Sequence, residues 1–367
     1  MGGHYLLKIS PMTPFHLGEM MEMERTDDII HSDTIFSALC YISDKNFGHE
    51  NYSAFITPFL EGTPPFLISS AFPYFEISSN DKEQIMKNTI LLFPKPLIFK
   101  EFVDKFPKNI KQFKKIRFIS KDLFDAYLTK DDQFLEEQFQ DSQGNVKSNN
   151  LIQGNQVWLS ENERNLIPEV ENLWKIQQTP RITIDRITKQ TTIYHYSRVH
   201  FHKKAGLFIL LNVRNDINSE MIVKDIITKL RYLGDTGIGG ERSLGNGQFE
   251  LKLNEDNMPF TVDLKESGED SQNIITLSLY LPKKSEIERS LLDASSYYQL
   301  INRRGWISNY TYYRKSINMI TEGSVLQRDG QKLLGKIEDV TPEILMKKNP
   351  YYKIHRYGYC YPINLKI

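Results

Sequence analysis

The stretch SEMIVKDIITKLRYLGDTGIGGERSLGNGQFELKL, residues 219–253, decides the fold. Its first half repeats apolar residues at helical spacing, from Ile222 to Leu233, which predicts an amphipathic helix over 219–234. Its last six residues, QFELKL, predict a strand. Between them, the loop of residues 234–249 has six glycines in its first fourteen positions, so the order is helix, glycine-rich loop, strand.

The glycine-rich loop does not match the known phosphate-binding loops. Walker A ends in Gly-Lys-Ser/Thr, and the dinucleotide fingerprint needs a strand before the glycines and a helix after them. Here a helix C-terminus, whose partial charge repels anions, faces the loop. Backbone N–H groups could still form an anion nest, with Arg242 and Ser243 as further donors. A cap at Gly234 followed by a tight turn is the structural alternative, but it explains one glycine only, so we expect a close approach to a ligand.

The rest of the first region completes an α+β pattern. HYLLKISPM (4–12) and GLFILLNV (206–213) predict strands, and HSDTIFSALCYIS (31–43) predicts a helix that Ser32 or Asp33 would cap. RITIDRITKQTTIYHYSRVHF (181–201) is β-branched and aromatic with a polar middle, which predicts a β-hairpin. We interpret residues 95–178 as a large insertion with solvated faces.

A second unit repeats this order of elements. NIITLSLYLP (273–282) predicts a strand, and Ser285 with Glu288 forms a capping-box pattern that would open a helix over 286–301. The recurrence predicts an α+β fold with two ferredoxin-like (RRM-like) domains. The first would span 1–255, with the insertion at about 95–178, the hairpin at about 181–201 and the glycine-rich loop between helix and strand. The second would span 271–367.

Composition excludes several classes of protein. The 367 residues have a net charge of zero, so the chain as a whole is not a basic nucleic-acid binder. Cys40 and Cys360 match no zinc or redox spacing, which indicates the reducing cytoplasm. No apolar run approaches the roughly twenty residues of a membrane span, and no signal peptide opens the sequence. His200 and His202 could share one strand face, but nearby carboxylate and thiolate partners are missing, so we expect no metal and no cofactor.

Three stretches are nevertheless basic: 181–204, 294–321 and 344–367. The last two contain no acidic residue and are rich in tyrosine. Cations that follow a sugar–phosphate backbone, mixed with rings that stack on bases, are typical of a groove for single-stranded nucleic acid. The alternative is that the tyrosines belong to the sheets and the charges to a solvated face, which we favour for most of the tyrosines.

Several motifs resemble one family. GIGGERSLGNGQF (237–249) resembles the glycine-rich loop of the RAMP proteins of CRISPR systems, and 180–201 resembles the segment that forms their β-hairpin "thumb". The blocks FHLGE (15–19), IHSDTIFSAL (30–39), RRGWI, RKSINMITEGSVL and HRYGYCYPI resemble, in the same order, the family of fourth subunits of type III-A Csm effector complexes. The insertion matches nothing in that family.

The resemblance implies a non-catalytic subunit with two ferredoxin-like folds. Its expected partners are the 5′ handle of crRNA, the large cyclase/polymerase-like subunit and the first backbone RAMP subunit, with no membrane. Carried over by motif, the residues expected at RNA fall in the glycine-rich loop, the helix start, the thumb and the second unit. They are Gly237, Gly239, Gly240, Arg242, Ser243, Gly245 and Gly247; His31 and Ser32, beside Asp33; Arg181 and Arg186, beside Ile184 and Asp185; and Arg303, Arg304 and Arg314.

Two alternatives remain open at this point. The chain could be a metal-independent RAMP endoribonuclease that processes precursor crRNA, with His31 as the candidate general base. It could also be a scaffold that never touches RNA, in which the loop glycines only relieve backbone strain and the tyrosine-rich tail is a protein interface.

Overall fold

The computed structural model describes residues 4–18, 24–77, 88–97, 109–214, 218–266, 268, 271–289, 291–292, 296–307, 312–328, 333–349 and 352–366. The helices are α1 (Ser32–Phe47), α2 (His49–Leu60), α3 (Ile110–Lys115), α4 (Lys121–Thr129), α5 (Asp132–Phe139), α6 (Glu161–Leu166), α7 (Ser219–Thr236), α8 (Lys284–Glu288) and α9 (Glu343–Lys348). The strands up to the glycine-rich loop are β1 (His4–Pro11), β2 (Phe66–Ile68), β3 (Phe72–Glu76), β4 (Thr89–Pro94), β5 (Phe118–Ser120), β6 (Leu151–Ile152), β7 (Val157–Trp158), β8 (Trp174–Ile184), β9 (Thr191–Phe201) and β10 (Ala205–Val213). After it come β11 (Phe249–Lys252), β12 (Phe260–Val262), β13 (Asn273–Thr276), β14 (Leu300–Arg303), β15 (Ile317–Ile320), β16 (Val325–Gln327), β17 (Gly335–Asp339), β18 (His355–Tyr359) and β19 (Pro362–Leu365).

The largest sheet is built around β1, as its alternating apolar sequence predicts. Its strands lie in the order β11-β1-β10-β3-β4-β5-β7-β6, with β2 paired with β10 and β12 paired with β1. The pairs β1–β10, β1–β11 and β10–β3 are all antiparallel. Numbered along the chain, β1, β3, β10 and β11 therefore have the spatial order 4-1-3-2, and α1 and α7 connect them across one face.

Helix α7 confirms the helical spacing but ends later than predicted. Val223, Ile226, Leu230 and Leu233 are buried against the sheet. The helix continues through Gly234 to Thr236 and stops at a glycine with φ +83°. Gly234 is not the cap but lies inside the helix. Glycine is needed there because the carbonyl of Phe249 leaves no room for a Cβ.

The insertion is not a solvated appendage. Its strands β5, β7 and β6 extend the main sheet beyond β4. Phe113, Phe124, Phe139 and Trp158 are buried in the same core as the rest of the sheet, and the rings of Phe93 and Phe124 stack with centroids 4.5 Å apart. Solvated faces are present as well, for example at the exposed Lys111, Lys114 and Lys115 of α3.

The second unit differs from its prediction in the described residues. The sheet β16-β13-β19 is accompanied by the two-stranded pairs β14–β15 and β17–β18. The predicted helix over 286–301 is wrong, because α8 ends at Glu288 and β14 begins at Leu300. The predicted capping pair is wrong as well. Glu286, not Glu288, accepts a hydrogen bond from the N–H of Lys283 at 2.7 Å. The carboxylate of Glu286 is buried, and it also accepts a hydrogen bond from the Tyr280 hydroxyl at 2.9 Å.

The two units share one core and form a mixed α+β fold. Tyr357, Tyr359 and Ile275 pack in the same cluster as the apolar residues of α1. A main-chain hydrogen bond of 2.8 Å from Ser70 to Leu277 joins the units between β3 and β13. No helix in the described ranges is long and apolar enough to cross a membrane.

Candidate nucleic-acid interface

Four glycines of the loop are required because neighbouring groups of the protein leave no room for a Cβ. A Cβ on Gly237 would lie 2.6 Å from the carbonyl oxygen of Asn246, and one on Gly240 would lie 2.7 Å from the imidazole of His16. Gly239 and Gly247 are equally crowded, by the carbonyl groups of His16 and Ile238. The close approach that the sequence predicts is real, but at these positions the approaching group is protein.

Most loop amides are also satisfied internally. Gly237 N–H donates to Leu233 at 2.7 Å, Gly240 N–H to His16 at 2.9 Å, and Gly247 N–H to Pro14 at 2.9 Å. The expectation that these glycine amides point at a ligand is therefore wrong. Hydrogen bonds to the segment Met12–His16 hold the loop against the chain that follows the end of β1.

The exposed part of the loop is the short turn from Glu241 to Gly245. Glu241 is left-handed, with φ +54°, and a single 3₁₀ turn follows. Within the described chain, the successive N–H groups of Glu241, Arg242 and Ser243 donate no backbone hydrogen bond, so this turn has the geometry of an anion nest. Ser243 and Gly245 are exposed, and nothing lies within 4 Å of a Cβ placed on Gly245. The guanidinium of Arg242 lies 5.3 Å from the ring centroid of Tyr41.

Strands β8 and β9 form the predicted hairpin, which we call the thumb, over Trp174–Phe201. The hairpin starts seven residues before Arg181, and its register pairs Arg181 with Tyr194 and Thr179 with Tyr196. Because side chains alternate along strands, Lys175, Arg181, Tyr196 and Arg198 share one face, which we call the basic face. The opposite face ends in exposed isoleucines.

Arg186 lies at the tip of the thumb and is exposed. Beside it, the Asp185 carboxylate accepts the N–H groups of Ile187 and Thr188 at 2.8 and 2.7 Å. These hydrogen bonds lower the pKa of Asp185 below its usual range. Asp185 therefore shapes the turn that presents Arg186, and Ile184 lies exposed on the other face.

His16 joins the turn to the thumb. Its ring lies 4.7 Å from that of Tyr196, and its Nδ1 lies 2.8 Å from the Ser197 carbonyl oxygen. Arg181 lies on the Tyr196 ring at 4.7 Å, and Nη1 of Arg181 is 3.9 Å from Oε2 of Glu241. Burial and the Glu241 carboxylate raise the pKa of Tyr196 to about 12. Two predicted segments, the glycine-rich loop and the thumb, thus meet at one place.

The helix start lies elsewhere, in the contact between the two units. Ser32 is fully buried, donates its N–H to Ser70 at 2.9 Å and accepts the N–H of Leu279 at 3.0 Å. Nδ1 of His31 is 2.8 Å from Glu322 of the second unit. Neither Ser32 nor Asp33 caps α1 with its side chain. The expectation that His31 and Ser32 face RNA is therefore not met in this conformation.

Asp33 forms a buried ion cluster with two arginines of the second unit. The Arg303 guanidinium binds both carboxylate oxygens, at 3.1 and 3.0 Å, and Arg356 binds one of them. Burial opposes the charged form of Asp33, but the two guanidinium groups outweigh it and hold its pKa well below the usual range. Arg303 is 8% exposed and is committed to this cluster rather than to a surface.

The same cluster explains why His31 is unsuited to base catalysis. Burial opposes protonation of its imidazole, but the carboxylate of Glu322 and hydrogen bonds to Asp27 and Glu322 raise its pKa to about 9. At neutral pH His31 is therefore a buried cation, not an accessible base. The endoribonuclease alternative loses its candidate residue.

This cation gives the fold a dependence on alkaline pH. With a folded pKa of about 9 and an ordinary value of 6.5, His31 stabilises the protein fully below pH 6.5 and loses that contribution as pH rises through about 9. We expect the free energy of unfolding of wild type to fall by on the order of 3 kcal/mol, and by less in His31→Gln. Urea unfolding at neutral and alkaline pH measures it, with the exposed His49→Gln as control. If the free energy of unfolding depended on pH equally in wild type and in His31→Gln, the assignment of the alkaline loss to His31 would be wrong.

The remaining arginines lie on the loop after β14. Arg304 is exposed and lies 4.6 Å from the ring of Tyr313, which packs on Trp306 with centroids 4.0 Å apart. The Arg314 guanidinium is enclosed beside Arg356, and burial, reinforced by that charge, lowers its pKa to about 10. Of the second-unit arginines predicted at RNA, Arg304 is therefore the exposed one.

The sequence missed residues whose partners are distant. Tyr196 lies in a strand and His16 in the segment after β1. His16 packs against Gly240 and its ring lies beside that of Tyr196, and these contacts give both residues a place in the site. Glu322 and Arg356 lie in the blocks RKSINMITEGSVL and HRYGYCYPI, but the sequence does not indicate their pairing, because the partners lie 291 and 323 positions away. In the described residues no cluster of His, Cys, Asp and Glu could hold a metal ion.

Comparisons with known proteins agree with this fold. A family model, the CRISPR Csm4 C-terminal domain, matches residues 269–365. The Csm4 protein of Methanocaldococcus jannaschii is 25% identical over 363 residues, covering 92% of this chain and 88% of that protein. The Csm4 protein of Thermococcus onnurineus is 28% identical over 150 residues, so the match spans 41% of this chain and less than half of that relative, 44%.

Solved structures give the same result over the whole chain. A crystal structure of a Csm3–Csm4 subcomplex of a type III-A interference complex matches with a TM-score of 0.62 at 18% identity, covering 99% of this chain and all of that one. A Csm1–Csm4 cassette with cA4 matches with a TM-score of 0.58 at 18% identity, covering 100% and 99%. At these identities the structures establish the fold, while the family model and the curated relatives supply the assignment. The chain belongs to the Csm4 family of CRISPR proteins.

Proposed function

We propose that the chain is a non-catalytic RNA-binding subunit that holds the 5′ handle of crRNA between the glycine-loop turn and the basic face of the thumb. The main support for this proposal is that the two segments meet, with Nη1 of Arg181 3.9 Å from Oε2 of Glu241. Beside them Arg242, Ser243 and Arg198 add donors on the same side of the molecule. The strand order 4-1-3-2 supports a ferredoxin-like first domain over 1–255, and the resemblance supports a second over 271–367.

Neutral net charge does not oppose this function. RNA binding depends on local cations that neutralise phosphates, and the basic face of the thumb carries Lys175, Arg181 and Arg198. The nest of Glu241, Arg242 and Ser243 lies beside them. Gly237, Gly239, Gly240 and Gly247 serve the site indirectly, by letting the loop fold on itself at Ile238 and Asn246 and approach His16.

We also propose that the chain bridges the large subunit to the backbone subunits of its complex. The solved relatives include a complex of Csm4 with Csm3 and a cassette of Csm4 with Csm1. If the bridge exists, the chain should retain both proteins together in a pull-down, whereas the two proteins without it should not associate. If the chain retained each of the two proteins alone but never both together, the proposed bridging would be wrong.

Arg242→Ala is expected to weaken binding of handle RNA by about 1–3 kcal/mol and to reduce the salt dependence by about one phosphate contact. Fluorescence anisotropy at several salt concentrations measures both quantities. Arg231→Ala is the matched control, because Arg231 lies on the same helix–loop segment but binds Asn257 at 3.2 Å. Equal affinity of wild type for handle and scrambled RNA would overturn the proposed function.

A further inference from the structure

Buried polar atoms without hydrogen-bond partners gather on the basic face of the thumb. Within the described chain, none is found for the hydroxyls of Tyr196 and Thr179, Nε of Arg198 or Nε2 of His200. Thr179 is directly opposite Tyr196, and Arg198 and His200 follow at alternate positions. All four side chains therefore project from the same face of the hairpin. Because folded proteins satisfy nearly all such atoms, this concentration points to a ligand that supplies the missing partners.

Movable groups cover the centre of this face. The Tyr196 ring is 1% exposed, and the Arg181 guanidinium that lies on it is the same group that reaches Glu241. The Arg181 and Glu241 side chains are 26% and 29% exposed, and 3.9 Å is long for an ion pair. Exposed pairs of this kind contribute little, so Arg181 can leave at small cost.

We propose that the thumb base is a nucleotide subsite, in which Arg181 occupies the place of an RNA base on the ring of Tyr196 until single-stranded RNA binds. On binding, the Arg181 guanidinium moves from Glu241 to a backbone phosphate, and the Tyr196 ring stacks on the base. The hydroxyls of Tyr196 and Thr179 then bind ribose or base-edge groups. This inference rests on the proposed function, and it adds Tyr196, Thr179 and Glu241 to the site.

In this arrangement Glu241 opposes RNA binding. Its carboxylate retains Arg181 on the ring, and it lies beside the path of a phosphate. Glu241→Gln therefore frees Arg181, and the gain must disappear when Arg181 is already absent. A double-mutant cycle between the two positions isolates this coupling from the general effect of removing one negative charge.

The first experiment measures anisotropy of labelled handle RNA on the full chain. Glu241→Gln should tighten the Kd about 3- to 10-fold, Glu250→Gln on the neighbouring strand β11 should change it less than about 2-fold, and Glu241→Gln in an Arg181→Gln background should give no gain. Equal effects of Glu241→Gln and Glu250→Gln, or a gain in affinity that persists without Arg181, would overturn the proposed retention of Arg181 by Glu241.

The second experiment tests the ring. Tyr196→Leu should weaken binding about 5- to 150-fold, the range of one lost base stack. Tyr196→Phe keeps the ring and loses one hydrogen bond of the hydroxyl, so it should weaken binding about 2- to 10-fold. 2-Aminopurine, scanned through the handle, should be quenched at one position in wild type and in Tyr196→Phe but not in Tyr196→Leu. Unchanged quenching in a folded Tyr196→Leu would overturn the subsite; if that variant fails to fold, the cycle of Glu241 and Arg181 decides.

Failure of the subsite and failure of the proposed function look different. If handle RNA binds specifically and Arg242→Ala weakens it, while the Tyr196 and Glu241 variants behave as wild type, only the subsite is wrong. If wild type binds handle and scrambled RNA equally, the proposed function itself is wrong.

Discussion

Asp33→Ala is expected to lower the free energy of unfolding by about 3–5 kcal/mol. The carboxylate is almost fully buried and holds Arg303 and Arg356 of the second unit. Removing it leaves two guanidinium groups enclosed without their counter-charge, and neither can reach water without separating the units. Chemical denaturation followed by circular dichroism measures the loss.

The matched control is Asp44→Ala on the same helix. Asp44 is more than one-third exposed and forms only loose ion pairs, 3.9 Å from Lys45 and 3.3 Å from His49. Its removal should cost less than about 1 kcal/mol. Asp33→Asn, which keeps the shape but not the charge, should follow Asp33→Ala. Equal stabilities of the Asp33 and Asp44 variants would show that the buried ions do not hold the units together.

The position of this cluster also predicts cooperative unfolding. Asp33 lies at the start of α1, where the helix dipole favours an anion, and both arginines come from strands of the second unit or their ends. The two units should therefore unfold in one transition in wild type. In Asp33→Ala the second unit should lose protection from hydrogen exchange first, because its contact with α1 is weakened.

Segments with a strong local pattern were predictable from the sequence. Helix α7, the glycine-rich loop, β11 and the thumb each follow from local periodicity, β-branched residues or glycine content, because those signals act over a few residues. The meeting of loop and thumb was not predictable, because it depends on contacts of His16 with Gly240 and Tyr196, and the block FHLGE carries no local signal for those contacts. The resemblance supplied the family, and the geometry then moved the exposed site from the glycines to Glu241–Gly245.

The misjudged segments are those that tertiary contacts stabilise. Strands β6 and β7 have two residues each and exist because the sheet edge at β5 pairs with β7, which in turn pairs with β6. The predicted helix over 286–301 had suitable spacing, but burial of Glu286 against Gly335 and Tyr280 fixes a short helix instead. His31 and Ser32 were correctly placed at a helix start, yet their partners Glu322 and Leu279 are remote in sequence.

Two glycines of the loop provide the second large prediction, because they share a backbone conformation and differ in surroundings. Gly245 has φ +78° and open space around a Cβ, whereas Gly247 has φ +80° and a Cβ there would overlap the carbonyl group of Ile238. Gly245→Ala should cost about 1–2 kcal/mol, the strain of a left-handed alanine. Gly247→Ala should cost about 2–5 kcal/mol, because overpacking adds to that strain.

The same pair separates support from contact in RNA binding. Gly247→Ala must push Ile238 away and displace the whole turn, so handle RNA should bind more weakly even where the variant remains folded. Gly245→Ala leaves the packing of the loop on His16 unchanged, and any loss of affinity there reports on the exposed turn itself. Melting curves and anisotropy of both variants give the comparison. Equal destabilisation by the two alanines would mean that Gly247 does not pack against Ile238 and Pro14 as described, and that the loop glycines are free to face a ligand.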